Sequence, residues 1–176
     1  MSVDGRYELA RQLNTLQTVP DAAAVQGVSW AIKLVEASAK LQCPVGDSEL
    51  RGSITSVVES EQDVVRGTCY TNKSYGPYVE LGTGPKGQRS HEGISPEVNP
   101  AYTQTPWWIH ESQIDKATAE KYKMFFIETK NGIFYRSSGQ AAQPFMYPAL
   151  KNNEDAAMEK MQEGWTAAMS KRGLRC

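Results

Sequence analysis

The chain has 176 residues, 19 Lys+Arg against 20 Asp+Glu, and a net charge of −1. That length suits one domain with a real core, and near-neutral charge gives no global case for nucleic acid or an anionic membrane as partner. No run approaches the roughly eighteen apolar residues of a spanning helix, and the polar, periodic start MSVDGRYELARQLN is unlike a signal peptide, so synthesis in a cytoplasm is the simplest expectation.

In chain order, residues 4–17 predict a short helix within an N-terminal extension (1–20), ended by Val19-Pro20. Asp21 reads as the N-cap of a longer helix through about Leu41. Val28, Ala31, Leu34, Val35 and Leu41 supply its apolar face, and Cys43-Pro44-Val45-Gly46 stops it. Residues 51–59 and 63–70, rich in Val, Ile and Thr, predict two strands joined by a short polar turn. A third strand is expected over 77–82.

Residues 84–106 carry Gly, Pro, Ser and Asn with few aliphatics, which predicts a long loop arm of the kind that is functional or orders on a partner. Residues 112–121 suggest a short polar helix. Asn131-Gly132 between two apolar runs predicts a hairpin of strands near 123–129 and 132–137. A final helix opens at Pro144 and Pro148, with Leu150, Ala157, Met161, Trp165 and Ala168 at helical spacing. Gly164 weakens it by about 1 kcal/mol relative to Ala. Together these elements predict a single α+β domain. An antiparallel sheet of about five strands would be packed on one face by a long N-terminal helix and a C-terminal helix.

Catalytic signatures are weak. GTGPKG (82–87) lacks the Lys-[Ser/Thr] of a phosphate-binding loop, and no βαβ unit surrounds it. The glycines read as turn residues. Cys43, Cys69 and Cys176 have neither disulfide-framework nor metal-ligand spacing, so neither a metal site nor a cofactor is expected. His91 and His110 are each followed by Glu, but neither completes HExxH. Trp107-Trp108 fits either a core or an interface.

Four separated pieces resemble one family. CPVGDSELRGSI (43–54) is similar to its P-x-D-[ST]-G-x-L-R-x-S-I piece, and YGPYVELGTG (75–84) to YAxYVEFGTG. WWIHESQID (107–115) with FIETKNGIFYRSSGQ (126–140) resembles its tryptophan-led segment and hairpin. AAQPFMYPALKNNED (141–155) resembles its QPFxxPAL helix opening. The order is the family's, and the pieces span about residues 20–165. Two departures are that the glycine after the aspartate is missing in Gly46-Asp47-Ser48-Glu49, and that Leu81 replaces a phenylalanine. The family is that of bacteriophage head–tail joining, tail-completion or neck proteins.

The resemblance implies a structural virion protein at the head–tail junction, made in the host bacterial cytoplasm and not an enzyme. It implies a ring of identical copies, with six as the expected number and twelve as the alternative. The ring would contact head-closure or connector proteins on one side and the tail terminator or tail tube on the other, with passive DNA contact in its lumen. Interface candidates are Tyr78, Glu80, Gly82 and Gly84 in the second piece and Lys86 and Arg89 in the arm. Trp107, Trp108, Phe134 and Arg136 are candidates in the third piece, and Phe145 and Tyr147 in the fourth. The hairpin edge at Ile133–Arg136 is the expected pairing edge. On this reading the glycines release the chain into the arm. The alternatives are a tail terminator capping the tube, a small enzyme using His110 and Glu111, and a nucleic-acid module using the arm.

Overall fold

The structure, a computed structural model, describes residues 4–44, 48–61 and 64–171, with side chains from residue 21. The elements are α1 (Asp4–Gln42), α2 (Ser48–Ser53), β1 (Thr55–Glu61), β2 (Val64–Tyr70), α3 (Gly76–Leu81), α4 (Gly84–Arg89), β3 (Trp107–His110), α5 (Lys116–Lys121), β4 (Phe126–Thr129), β5 (Gly132–Ser137), α6 (Met146–Lys151) and α7 (Glu154–Lys171). This is an α+β protein with a long N-terminal helix, a C-terminal helix and antiparallel pairing throughout. The strands do not form one sheet of five. They form a β1–β2 ribbon and a separate three-stranded sheet of order β3-β5-β4. The chain divides into two compact units, Met1–Asn72 with Pro148–Cys176, and Lys73–Tyr147.

In the first unit, α1 is one helix of 39 residues running through Pro20. Proline removes one ladder donor and crowds the carbonyl four residues back, which is why two helices were expected. The Ala-rich turns from Asp21 favour helix strongly enough to continue it. Asp21 is therefore interior and caps nothing. Ala23, Gly27, Val35 and Ala39 recur along the buried stripe of α1, while Leu41 lies off it and is exposed. The helix ends at Gln42, before Pro44; residues 45–47, with the expected Val45-Gly46 stop and the altered turn at Asp47, lie outside the described residues.

The helix α7 packs antiparallel on α1. Asn153 Nδ2 donates to Ser38 Oγ at 2.9 Å, and Gly27 meets Met161 and Gly164 further along. An added Cβ on Gly27 would lie 2.6 Å from the Met161 carbonyl oxygen, and one on Gly164 would lie 2.9 Å from Gly27 Cα. The propensity cost of Gly164 thus accompanies a close helix–helix approach. The expected final helix is two helices, because α6 stops at Lys151 and α7 starts at Glu154.

Residues 51–53, expected as strand, belong to α2, and the strand starts at Thr55. The turn between β1 and β2 includes residues 62–63, outside the described residues. The ribbon lies on α1 through its small residues: a Cβ on Gly67 would sit 2.9 Å from Val28 Cγ1. Between them Glu36, 8% exposed, accepts from Lys33 and Lys40 at 2.6 and 2.7 Å and from Ser56 Oγ at 2.6 Å. Burial pushes its pKa up, but those three hydrogen bonds outweigh it and bring it from 4.5 down to about 2. Cys43 is buried beneath α2, where its carbonyl accepts from Arg51 at 3.0 Å; Cys176 lies outside the described residues.

In the second unit, residues 77–82 are not a strand. Pro77 presets the first turn of α3, and Gly82 ends it at φ 75°. A run as short as Tyr78-Val79-Glu80-Leu81 cannot distinguish strand from helix by periodicity. Residues 84–89 of the expected arm form α4, and 90–106 contain neither helix nor strand. Asp115 caps α5, accepting from Thr118 N–H at 2.8 Å. The Asn131-Gly132 hairpin forms where expected, with Gly132 at φ 110°. Trp107–His110 forms a strand that pairs with β5. That pairing makes β5 the central strand, so Ile133–Arg136 is not an edge; β3 and β4 are the edges.

Candidate functional site

Within Lys73–Tyr147 the structure gathers the sequence-predicted residues into two groups. The first ties residues 78–90 to 138–147. Thr83 and Gln140 exchange backbone hydrogen bonds at 2.9 and 3.2 Å, Lys86 N–H donates to Ser138 O at 3.1 Å, and Gln143 N–H donates to Val79 O at 2.9 Å. The side chain of Gln140 adds a bond to Tyr78 O at 2.8 Å. Glu80 completes the lock. Its carboxylate accepts the backbone N–H of Phe145, Met146 and Tyr147 at 2.6, 2.9 and 3.0 Å. These are the donors that a helix start leaves without intrahelical partners, and a carboxylate there also meets the positive end of the peptide dipoles.

The glycines of YGPYVELGTGPKG allow this close approach. Gly82, Gly84 and Gly87 are all buried, and a Cβ on Gly82 would lie 2.7 Å from Ala142 N. A Cβ on Gly84, at φ 59°, would lie 2.8 Å from the ring of Trp107. Gly139, at φ 81°, would place a Cβ 1.9 Å from Thr83 O. Their role is therefore contact between two segments, and not release of the chain into an arm. The loop beyond α4 returns as well, where Tyr102 OH donates to Leu81 O at 2.7 Å. Phe145 is fully buried, Tyr147 is half-buried, and Tyr78 is exposed beside a cleft of about 410 Å3 that Tyr102 and Trp107 also line. Lys86 joins the first group through its backbone N–H alone; its side chain and that of Arg89 are exposed on α4.

The second group is one face of the three-stranded sheet. Trp108 pairs with Arg136, and Arg136 N–H donates to Phe125 O at 2.7 Å, so these three side chains form one row. His110, Phe134 and Ile127 form the next row on the same face. Trp108 is 44% exposed and Phe125 63%, with ring centroids 6.1 Å apart. The opposite face carries Trp107, half-buried, and Tyr135, buried. Of the tryptophan pair one ring is therefore turned in and one out. Sequence reasoning missed Phe125 and Ile127. The signal was present in MFFIE, where consecutive apolar residues load both faces of β4, a strand whose four residues are all exposed.

His110 and Glu111 hold the hairpin turn. His110 Nε2 donates to Asn131 O at 2.9 Å, and its Nδ1 accepts from Ser112 N–H at 3.2 Å. Glu111 Oε1 accepts from Ile133 N–H at 3.1 Å. No helix among the described residues is long and apolar enough to cross a membrane. Compared with protein-family models, with curated proteins and with solved structures, the chain finds no match.

Proposed function

We propose that the protein is a structural subunit of the bacteriophage neck, forming a ring that joins the DNA-filled head to the tail and completes the tail. The supporting observation is the lock between two of the family-like pieces. YGPYVELGTG and AAQPFMYPAL lie far apart in sequence, yet Glu80 of one holds the Phe145–Tyr147 backbone of the other. A shared physical task explains why the two pieces occur together. The aromatic sheet face around Trp108 supplies an exposed surface suited to a neighbour. On this reading head-closure or connector proteins contact one side of the ring, and the tail terminator or tail tube the other. The ring needs no cofactor and performs no catalysis; His110 and Glu111 serve the hairpin turn.

Immunogold labelling of intact particles with antibody to this chain tests the reading. Gold at the head–tail junction is the expected result. Label absent from particles would overturn it, and label on tails detached before head attachment would favour the tail terminator.

A further inference from the structure

A ring of identical copies needs two different patches on each copy; this inference rests on the neck reading for that ring. We infer that the sheet face formed by Trp108, Phe125, Ile127 and Arg136 docks on the outer stripe of α7 in a second copy of the chain, at Asp155, Met158 and Glu159.

The two surfaces match in charge and in apolar character. The rows Trp108–Arg136–Phe125 and His110–Phe134–Ile127 contain no carboxylate. Their one arginine has no ion pair or side-chain hydrogen bond among the described residues. The face is thus a cation set among exposed rings. On α7, residues 155, 158 and 159 are neighbours at helical spacing, and all three are exposed. Met158 is 54% exposed, and carboxylates flank it on the same stripe. Glu154 and Glu163 are paired with Lys151 and Lys160 at 2.9 and 2.6 Å. Asp155 and Glu159 have no such partner among the described residues. An apolar centre between two free carboxylates therefore complements aromatic rings around one free guanidinium, where the thioether would meet the rings and Arg136 the acids. The two surfaces differ, as a ring interface requires and as a two-fold dimer does not.

The test uses the purified full chain with Phe125→benzoylphenylalanine, a photo-crosslinker at an exposed ring position. Irradiation at high protein concentration, followed by trypsin, is expected to give adducts to the peptide 152–160 of another copy. Arg136→Glu and Glu159→Arg are each expected to lower adduct yield about fivefold, and the double variant to restore it within about twofold. Absence of intermolecular adducts, adducts confined to other peptides, or a double variant no better than either single would overturn the proposal. Should Arg136→Glu lower the melting temperature, the adduct map with wild-type charges decides. Gold labelling reads the neck role and cross-linking reads the surface, so failure of one is distinguishable from failure of the other.

Discussion

Glu80 accepts the backbone N–H of Phe145 at 2.6 Å, across 65 residues of chain. Two further N–H groups converge on the same carboxylate, so one side chain closes the start of α6 and joins the glycine-rich segment to the proline-rich one. Hydrogen bonds to a charged acceptor each contribute about 1.5–3 kcal/mol, and losing the acceptor leaves several donors unmet. Glu80→Ala is expected to lower unfolding free energy by about 2–4 kcal/mol, and Glu80→Gln by roughly half of that because one carbonyl acceptor survives. Urea denaturation measures both. A Glu80→Ala variant as stable as wild type would contradict the lock.

The elements that sequence reasoning placed well are those whose cause is local. The Asn131-Gly132 turn needs only two residues to specify it, and α7 repeats its apolar positions at 157, 161, 165 and 168 over about three turns, although the expected single final helix is split after Lys151. The failures have non-local causes. The short strand β3 is specified by pairing with β5 about thirty residues later. Tyr78-Val79-Glu80-Leu81 has the composition of a strand, yet Pro77, Gly82 and the distant N–H groups bound by Glu80 make it a helix. The resemblance set YVELGTG and QPF side by side as candidates without a reason; the reason is a set of hydrogen bonds that neither piece shows alone. Of the expected apolar face of α1, Val35 is buried, Val28, Ala31 and Leu34 are half-buried and Leu41 is exposed; the small residues Ala23, Gly27 and Ala39 are buried as well, and their burial depends on the distant partners they approach.

Glycine in the α1–α7 contact should reverse the usual helix-propensity sign. In an exposed helix Gly→Ala stabilises by about 1 kcal/mol. At Gly27 the new Cβ would meet the Met161 carbonyl at 2.6 Å, and at Gly164 it would meet Gly27 Cα at 2.9 Å. Gly27→Ala and Gly164→Ala are each expected to destabilise by about 1–3 kcal/mol, measured by thermal or urea unfolding. A stabilising effect at either site would show that the helices are not in close contact there.

Glu36 gives the chain an acid-dependent component of stability. Its folded pKa of about 2 lies below its ordinary 4.5, so the folded state binds its proton less readily than the unfolded state. The contribution is fully present above pH 4.5 and is lost as pH falls through about 2. The shift corresponds to about 3 kcal/mol at neutral pH. Glu36→Gln is expected to flatten the unfolding free energy between those pH values. An unchanged pH profile in the variant would mean that the Lys33, Lys40 and Ser56 bonds do not hold the carboxylate in solution.

The segment 84–106 should split in hydrogen exchange. Lys86, Gly87 and Ser90 amides are bonded to Ser138, Thr83 and Lys86 carbonyls, so they are expected to exchange slowly. Amides over 91–99, where Val98 to Ser95 is the backbone bond among the described residues, are expected to exchange at least about tenfold faster. Uniform fast exchange from 84 onward would restore the picture of one long free arm.

Trp108 should matter to association and little to folding. Its ring is 44% exposed on the outer sheet face, so Trp108→Ala is expected to change unfolding free energy by less than about 1 kcal/mol while abolishing copy-to-copy cross-linking. A sharp fall in melting temperature with normal association of the folded fraction would place the ring in the core.

The central claim, that this chain joins heads to tails, is tested most directly by electron microscopy of lysates from a phage with an early stop codon in its gene. Filled heads and normal-length tails lying separate are the expected result. Overlong tails would point to a tail terminator, and normal infectious particles would contradict the account.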